Sequence, residues 1–337
     1  MKCNTAALAF MEVNPACGFF TMPSDIENIL TTKVLNDIFQ GKNFRIYIMK
    51  IKNMLGQKKF VLSFEVFPPK REGSIENLYS TIKELGELKP DFISVTDGAG
   101  GSTREKTIEI SSKVKNEFKM EVLAHLTCVQ STKEDIATIL KALKNENVEN
   151  ILALRGDPPD GMEKFQKTDG GFGYANELVE FIRMRNDFSI GVAGYPEGHI
   201  EAPSLQIDMI NLKRKVDAGA DFIITQLFFN NDAFYSFRDQ AMELKINVPI
   251  IPGIFPILNY NQVKRISSLS GVKITSRLGS KIEKNKDKPE EVEKYGIEYA
   301  IIQIEDLRNN DIDGLHIYCM NRSQPVKKIL KELSFSR

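Results

Sequence analysis

A chain of 337 residues is long enough for two ordinary domains or for one large α/β barrel, and its length does not choose between them. With 42% hydrophobic and 27% charged residues it has the make-up of a globular protein that buries a sizeable core. Lysine plus arginine equal aspartate plus glutamate at 45 each, which argues against a nucleic-acid binder or a protein drawn to an anionic membrane surface.

No run of about 18 apolar residues is present, so nothing in the sequence predicts a membrane span. Cys3, Cys17, Cys128 and Cys319 are scattered, without CxxC or Cys/His spacing. That pattern predicts reduced thiols in a cytoplasmic protein and neither a disulfide frame nor a zinc site. The opening KCNTAALAFMEVNPA has one lysine and a short apolar run that soon meets Glu12, Asn14 and Pro15, which is the wrong pattern for a secretory signal. Residues 1–48 keep no sustained period, and Met49 and Met54 lie shortly before the first clear strand. The segment is read as an extension, either disordered or not native to the fold because translation starts at one of those methionines. The folded body is expected over 49–337.

From residue 59 the pattern becomes regular. Short β-rich runs fall at 60–66, 91–96, 121–126, 150–155, 189–194, 221–228, 248–254 and 314–319. Helical patterns lie between them, among them SIENLYSTIKELGEL, TKEDIATILKALKN, ANELVEFIRMR and PSLQIDMINLKRKVDAG. Alternation of this kind implies parallel strands joined by right-handed crossovers, and eight units suit a (β/α)8 TIM barrel of the α/β class. The stretch 277–308 is predicted as a charged, solvated insertion followed by an amphipathic helix. No GxGxxG follows a strand and no GxxxxGK[ST] occurs, so dinucleotide-binding and P-loop folds have no support. The glycine-rich DGAGGS at 97–102 lacks the lysine of a phosphate loop and is read first as a flexible loop.

In the first strand, KFVLSFEVFPPK, side chains alternate, so Leu62, Phe64 and Val66 face one way and Val61, Ser63 and Glu65 the other. Glu65 is then the last inward residue before two prolines. A carboxylate there is paired, exposed at a mouth, or kept protonated for a purpose. The same alternation gives polar inward ends elsewhere: Thr96, His125, Arg155 with Asp157, Tyr195 and Gln226. Six polar ends in register at the C-terminal face of a barrel point to a binding site. Taken singly, Arg155 and Asp157 suit a structural ion pair, and His125 and His199 suit hydrogen-bonded structural histidines. No metal-ligand spacing accompanies them. In the helix after the fifth strand, Leu205, Met209, Leu212 and Val216 form the predicted core stripe. Asp208, Asn211 and Lys215 line a second stripe with Arg214 nearby, either a solvated face or a grip on the sugar and phosphates of a cofactor.

The segments SFEVFPPK, DFISVTDGAGGS, AHLTC, ILALRGDPP, AGYPEGHIEA, NLKRKVDAGADFIITQLFF, IIPGIFP and HIYCMNR occur in the order in which methylenetetrahydrofolate reductases carry them. The chain resembles that family over roughly residues 59–324, and looks like its short bacterial catalytic form. The resemblance implies a FAD-bearing barrel that reduces 5,10-methylenetetrahydrofolate to 5-methyltetrahydrofolate, in one-carbon metabolism leading to methionine. The flavin is reduced by NADH or NADPH, with NADH the favoured donor, in a ping-pong sequence. It implies Glu65 as general acid, holding a proton that opens the folate ring. Asp157 matches an aspartate beside the flavin and the pterin. Thr96, Gln226, Gln262 and Arg322 match substrate contacts. FAD contacts carry over to Asp97, Ala99, His125, Arg155, Gly156, Asp157, Tyr174, Ala175, Tyr195, His199, Ala202, Asp208, Asn211, Arg214 and Lys215. Two departures stand out: Asp97 replaces a tyrosine of some relatives, which favours a backbone contact there, and Ile266 replaces an aromatic beside the ligand. A homo-oligomer is compatible with the resemblance. The alternative reading is a FAD- and folate-binding subunit of a larger electron-transfer complex that does not use NAD(P)H directly. A third, a proline dehydrogenase-like flavin barrel, is opposed by the motif order.

Overall fold

The computed structural model describes residues 49–69, 75–97, 101–158 (101–103 by backbone only), 162, 164–185 and 187–335, together with two short strands near the N-terminus. The chain divides into two units, Met1–Tyr47 and Ile48–Arg337. In the first, Glu12–Val13 and Phe20–Thr21 pair antiparallel.

The second unit is a ring of parallel strands. They are β1 (Val61–Val66), β2 (Phe92–Val95), β3 (Glu121–Thr127), β4 (Asn150–Leu154), β5 (Ser189–Gly194), β6 (Phe222–Thr225), β7 and β8 (Gly314–Tyr318). Each pairs with its neighbours in chain order, and β8 returns to pair with β1. Strand β7 is in two pieces: Ile250–Ile251 pairs with β6, and Gly253–Ile254 pairs with β8. Pro252 separates the pieces because it has no N–H to give the ladder, while its carbonyl accepts from His316 N at 3.0 Å. The seam is bolted by Thr225, whose Oγ1 accepts from Gly253 N at 2.9 Å and whose carbonyl accepts from the Tyr318 hydroxyl at 2.7 Å. The expected (β/α)8 barrel is therefore the observed fold.

Alternation sorts the strand side chains as the sequence predicts. Leu62, Phe64 and Val66 join the main core under the helices. Val61, Phe92, Leu123, Leu152, Phe222, Ile224 and Ile251 fill the barrel interior with Ile51 and Met54. The last two belong to α1 (Ile51–Gln57), a seven-residue helix too short to stand alone in water. It plugs the N-terminal end of the ring, and its first N–H groups find acceptors at strand starts: Ile51 N on Asn150 Oδ1 at 2.8 Å, and Lys52 N on Ser189 Oγ at 3.0 Å.

The outer layer comprises α2 (Ile75–Gly86), α3 (Gly101–Asn116), α4 (Lys133–Asn145), α5 (Ala175–Arg185), α6 (Leu205–Asp217), α7 (Asn231–Glu243), α8 (Tyr260–Ser270), α9 (Ser276–Lys284), α10 (Pro289–Arg308) and α11 (Ser323–Glu332). Two differ from expectation. The charged insertion contains a helix, α9, because Leu278 and Ile282 recur at i, i+4 and bury beside Phe229 and Ile257. In α6, Met209 and Leu212 bury and Val216 packs on the core, but Leu205 is 49% exposed because it sits in the first turn, ahead of the packed face.

A Cβ at Gly253 would collide with the Thr225 carbonyl oxygen and lie 2.7 Å from the Tyr318 ring. Gly253→Ala is expected to open the seam at a cost of about 3 kcal/mol, read as a lower denaturant midpoint. An unchanged midpoint would mean that the ring does not depend on this close approach.

Candidate functional site

Above the apolar plug the barrel interior turns polar. Glu65, at the end of β1, has a side chain 18% exposed and lies between two histidines, with Oε2 3.5 Å from Nε2 of His125 and 3.5 Å from Nε2 of His316. Each histidine rests on a serine of the neighbouring strand. Ser94 Oγ is 2.7 Å from His125 Nε2, and Ser63 Oγ is 2.8 Å from His316 Nδ1. The His316 ring stacks on Phe92 and meets Tyr318 edge-on. Burial pulls the His125 pKa down to about 4, with Glu65 opposing and His316 reinforcing, so His125 is neutral at pH 7. Burial raises the Tyr318 phenol far above its ordinary range, with Glu65 and Tyr195 adding to it. Glu65 thus stands between two histidines with its side chain still partly exposed at the end of β1.

A second feature is a cavity of about 1280 Å³ between the β4 and β5 ends and α6. Of the predicted residues, Arg155, Tyr174, Ala175, Tyr195, His199, Ala202, Asp208, Asn211, Arg214 and Lys215 line it. The polar stripe of α6 is therefore a wall of the cavity and not a solvated face. Lys215 Nζ donates to Ala193 O at 2.5 Å and lies over the Tyr195 ring. Burial lowers its pKa to about 8, and Asp208 opposes the shift. Burial raises Asp208 in turn, with Lys215 opposing. Tyr195 and His199 meet edge-on at 4.7 Å. His199 Nδ1 accepts from Glu201 N at 3.1 Å, which puts the proton of the neutral ring on Nε2.

Arg155 is not in phase with the inward set. Leu152 and Leu154 face the interior and β4 ends at Leu154, one residue before it. The Arg155 carbonyl accepts from Cys128 N and Val129 N, both at 3.1 Å, and Gly156 then turns the chain at φ +88°. A Cβ on Gly156 would stand 2.8 Å from Val129 Cγ1, so glycine is required there. The Arg155 guanidinium swings sideways into the cavity, donating to both Glu201 oxygens at 2.6 and 2.7 Å and covering the Phe165 ring. Its ion partner is Glu201, 46 residues away, and not Asp157.

Among the described residues, the remaining predicted ones do not line that cavity. Asp157 is exposed. Thr96 N donates to Val66 O at 3.0 Å, and its carbonyl accepts from Thr107 Oγ1 at 3.0 Å. Asp97 Oδ2 accepts from Thr127 Oγ1 at 2.7 Å, Oδ1 is buried without a partner, and burial raises its pKa. Gln226 Oε1 accepts from Leu227 N at 2.9 Å, which leaves its amide hydrogens to donate. Gln262 Oε1 is buried without a partner, and Ile266 packs in the apolar cluster around Phe229 and Phe255. Arg322 lines a different cavity, of about 1050 Å³, and binds Glu293 at 2.9 Å. Ala99 lies outside the described residues. Sequence reasoning passed over His316, Ser63, Ser94, Tyr318 and Glu201. The alternation rule applied to β8 would have found the first and fourth, since Gly314, His316 and Tyr318 share the inward face.

The fold and site define a TIM barrel with an acidic group at its mouth and, beside it, a cavity in which five cations face three carboxylates. Residues 50–334 match the methylenetetrahydrofolate reductase family model, and the chain belongs to that family. It is 41% identical over 295 residues to methylenetetrahydrofolate reductase (NADH) 1 of Arabidopsis thaliana, covering 84% of this chain and 50% of that protein. It is 37% identical over 268 residues to the 5,10-methylenetetrahydrofolate reductase of Escherichia coli, covering 80% and 88%. The chain thus spans about half the length of the plant relatives it matches. Among solved structures, an uncharacterized Clostridium thermocellum protein that binds two copies of 5-methyl-5,6,7,8-tetrahydrofolic acid shares the fold, with a TM-score of 0.61, 16% identity, and coverage of 85% of this chain and 99% of that one.

The depressed His125 pKa carries a stability consequence. A histidine with a folded-state pKa of about 4 against an ordinary 6.5 holds its proton more weakly folded than unfolded. Stability is therefore full above pH 6.5 and lost as pH falls towards 4, by about 3 kcal/mol at most. His125→Gln is expected to flatten that part of the urea-stability profile. An unaltered slope would assign the acid sensitivity to other groups.

Proposed function

We propose that this chain catalyses reduction of 5,10-methylenetetrahydrofolate to 5-methyltetrahydrofolate, with NADH or NADPH as the hydride source and FAD as carrier in a ping-pong sequence. The observation that carries the reading is Glu65, a carboxyl between two histidines at the end of β1, in a chain of this family that also holds a cation-rich cavity. A soluble, cytoplasmic setting in one-carbon metabolism follows from the same reading.

The cavity residues fit FAD in size and chemistry. A volume of about 1280 Å³ exceeds that of ordinary small-molecule sites, and the surplus of cations suits a diphosphate. Asp208 and Asn211 would hold ribose or ribityl hydroxyls, Arg214 and Lys215 the phosphates. Arg155, Gly156, Tyr174, Ala175, Tyr195, His199 and Ala202 would bound the rest. Asp97 and His125 would approach from the β2 and β3 ends. When bound, the flavin accepts hydride from nicotinamide and passes it to the one-carbon unit.

Glu65 gives a proton to a folate nitrogen, so that the imidazolidine ring opens to an iminium whose exocyclic carbon accepts the hydride. Because His125 is neutral at pH 7, it places no positive charge beside Glu65. The ring of His316, with Ser63 at one nitrogen and Glu65 facing the other, can pass a proton back to the carboxyl between turnovers. Asp157 accepts from pterin N–H groups. The amide hydrogens of Gln226 and the open oxygen of Gln262 complement acceptor and donor groups of the ligand, with Thr96 and Arg322 at its margins.

Anaerobic bleaching of the FAD-loaded protein tests the reading. NADH or NADPH should bleach the visible flavin band, and so should 5-methyltetrahydrofolate. Bleaching by the folate alone would move the assignment to a subunit fed by a partner protein, and bleaching by neither would end it. Glu65→Gln is expected to slow the folate half-reaction by at least about a hundredfold with nicotinamide bleaching intact. Equal loss of both would remove Glu65 from the acid role. FAD affinity should fall as pH rises through about 8, where Lys215 loses its proton. Lys215→Met should remove that dependence, and its persistence would exclude Lys215 as the titrating group.

A further inference from the structure

The five cations of the large cavity are not equally available. Arg155 is held by both oxygens of Glu201, so this pair contributes no net charge. Lys215 and Asp208 offset each other across the α6 wall. What remains is Arg214, Lys164 and Lys167 against Glu177, a net charge of +2. Arg214 donates to Asn211 Oδ1 at 2.9 Å, and the Glu177 carboxylate caps Gly173 N at 2.9 Å. Among the described residues, neither Lys164 nor Lys167 has an ion-pair partner. Without these two lysines the net charge of the wall is zero.

Both lysines lie between β4 and α5, one on each side of Phe165 in sequence. Phe165 packs on the main core and lies under the Arg155 guanidinium, whose carbon is 4.8 Å from the ring centroid. The stem of Lys167 runs along Gly173, where a Cβ would stand 3.6 Å from its Cδ. The Arg155–Glu201 pair therefore anchors Phe165, and Phe165 holds the lysine-bearing segment against the cavity opposite α6.

We propose that Lys164 and Lys167 form a second cationic wall that grips the diphosphate of the bound dinucleotide opposite Arg214 and Lys215, with Arg155 and Glu201 positioning that wall. The proposal rests on the FAD reading above. Its reach is chemical: it concerns the phosphates and not the isoalloxazine.

The test uses the full chain stripped of flavin, titrated with FAD and with riboflavin, which has no phosphate, at several salt concentrations and followed by flavin fluorescence. The double variant Lys164→Ala/Lys167→Ala is expected to weaken FAD about tenfold, to flatten the salt dependence of its Kd, and to leave riboflavin unchanged. Lys164→Arg/Lys167→Arg should restore FAD affinity. If the wild-type protein binds FAD and the alanine variant binds it equally well with the same salt slope, the second wall is overturned and the flavin reading stands. Equal weakening of FAD and riboflavin also overturns it, since the loss would not be of phosphate contacts. Failure of the wild-type protein to bind either flavin overturns the FAD reading and the wall together.

Discussion

The ring of strands closes through one broken strand, and the site depends on that closure. Pro252 cannot donate, so β7 pairs with β6 before it and with β8 after it. Thr225 then binds both Gly253 and the Tyr318 hydroxyl. This fixes β8 against β1 in the register that sets His316 beside Ser63 and Tyr318 beside Glu65. A one-residue slip at the seam would turn His316 outward and leave Glu65 facing Ile317. The chemistry at the mouth is thus a consequence of backbone pairing some 250 residues apart in sequence.

The two polar regions that this frame carries have different electrostatic characters. Around Glu65 the neighbours are histidine, serine and tyrosine, groups that move or orient a proton without a permanent charge. Around the cavity the neighbours are lysines, arginines and carboxylates arranged in pairs, with a residual positive charge on the walls. The proposed retention of a diphosphate cofactor rests on the second region, and the proposed protonation of a substrate on the first.

Much of this was legible in the sequence because a strand period of two is a strong signal. It gave the eight strands and placed Glu65, Thr96, His125, Tyr195 and Gln226 on the inward face. It misplaced Arg155, because Leu152 and Leu154 hold the inward phase of β4 and Arg155, next after them, falls out of it. The serine partners of the histidines were invisible for a different reason. Ser63 and His316 are 253 positions apart, and a lone serine in a strand carries no sign of what it faces. Glu201 was equally hidden, since its role is set by a loop conformation that no periodicity encodes. Helix α9 was missed because its two apolar residues are diluted by lysine and glutamate.

The separation of Arg322 from the large cavity bears on the substrate contact proposed for it. Arg322 stands immediately before α11 and is tied to Glu293 of α10, so its guanidinium is already paired before any ligand arrives. Glu293 also lies 3.9 Å from Lys328. An anionic group approaching Arg322 must therefore exchange with an existing carboxylate, at a site partly open to water where such pairs are weak. Recognition on that side is an exchange of one modest ion pair for another and gives little net affinity. Gln262, in the first turn of α8, has by contrast a buried oxygen without a partner. A ligand that satisfies that oxygen gains a hydrogen bond at no competing cost, and one that lacks the donor leaves it unsatisfied, so of the two proposed substrate contacts Gln262 can discriminate more strongly than the already paired Arg322.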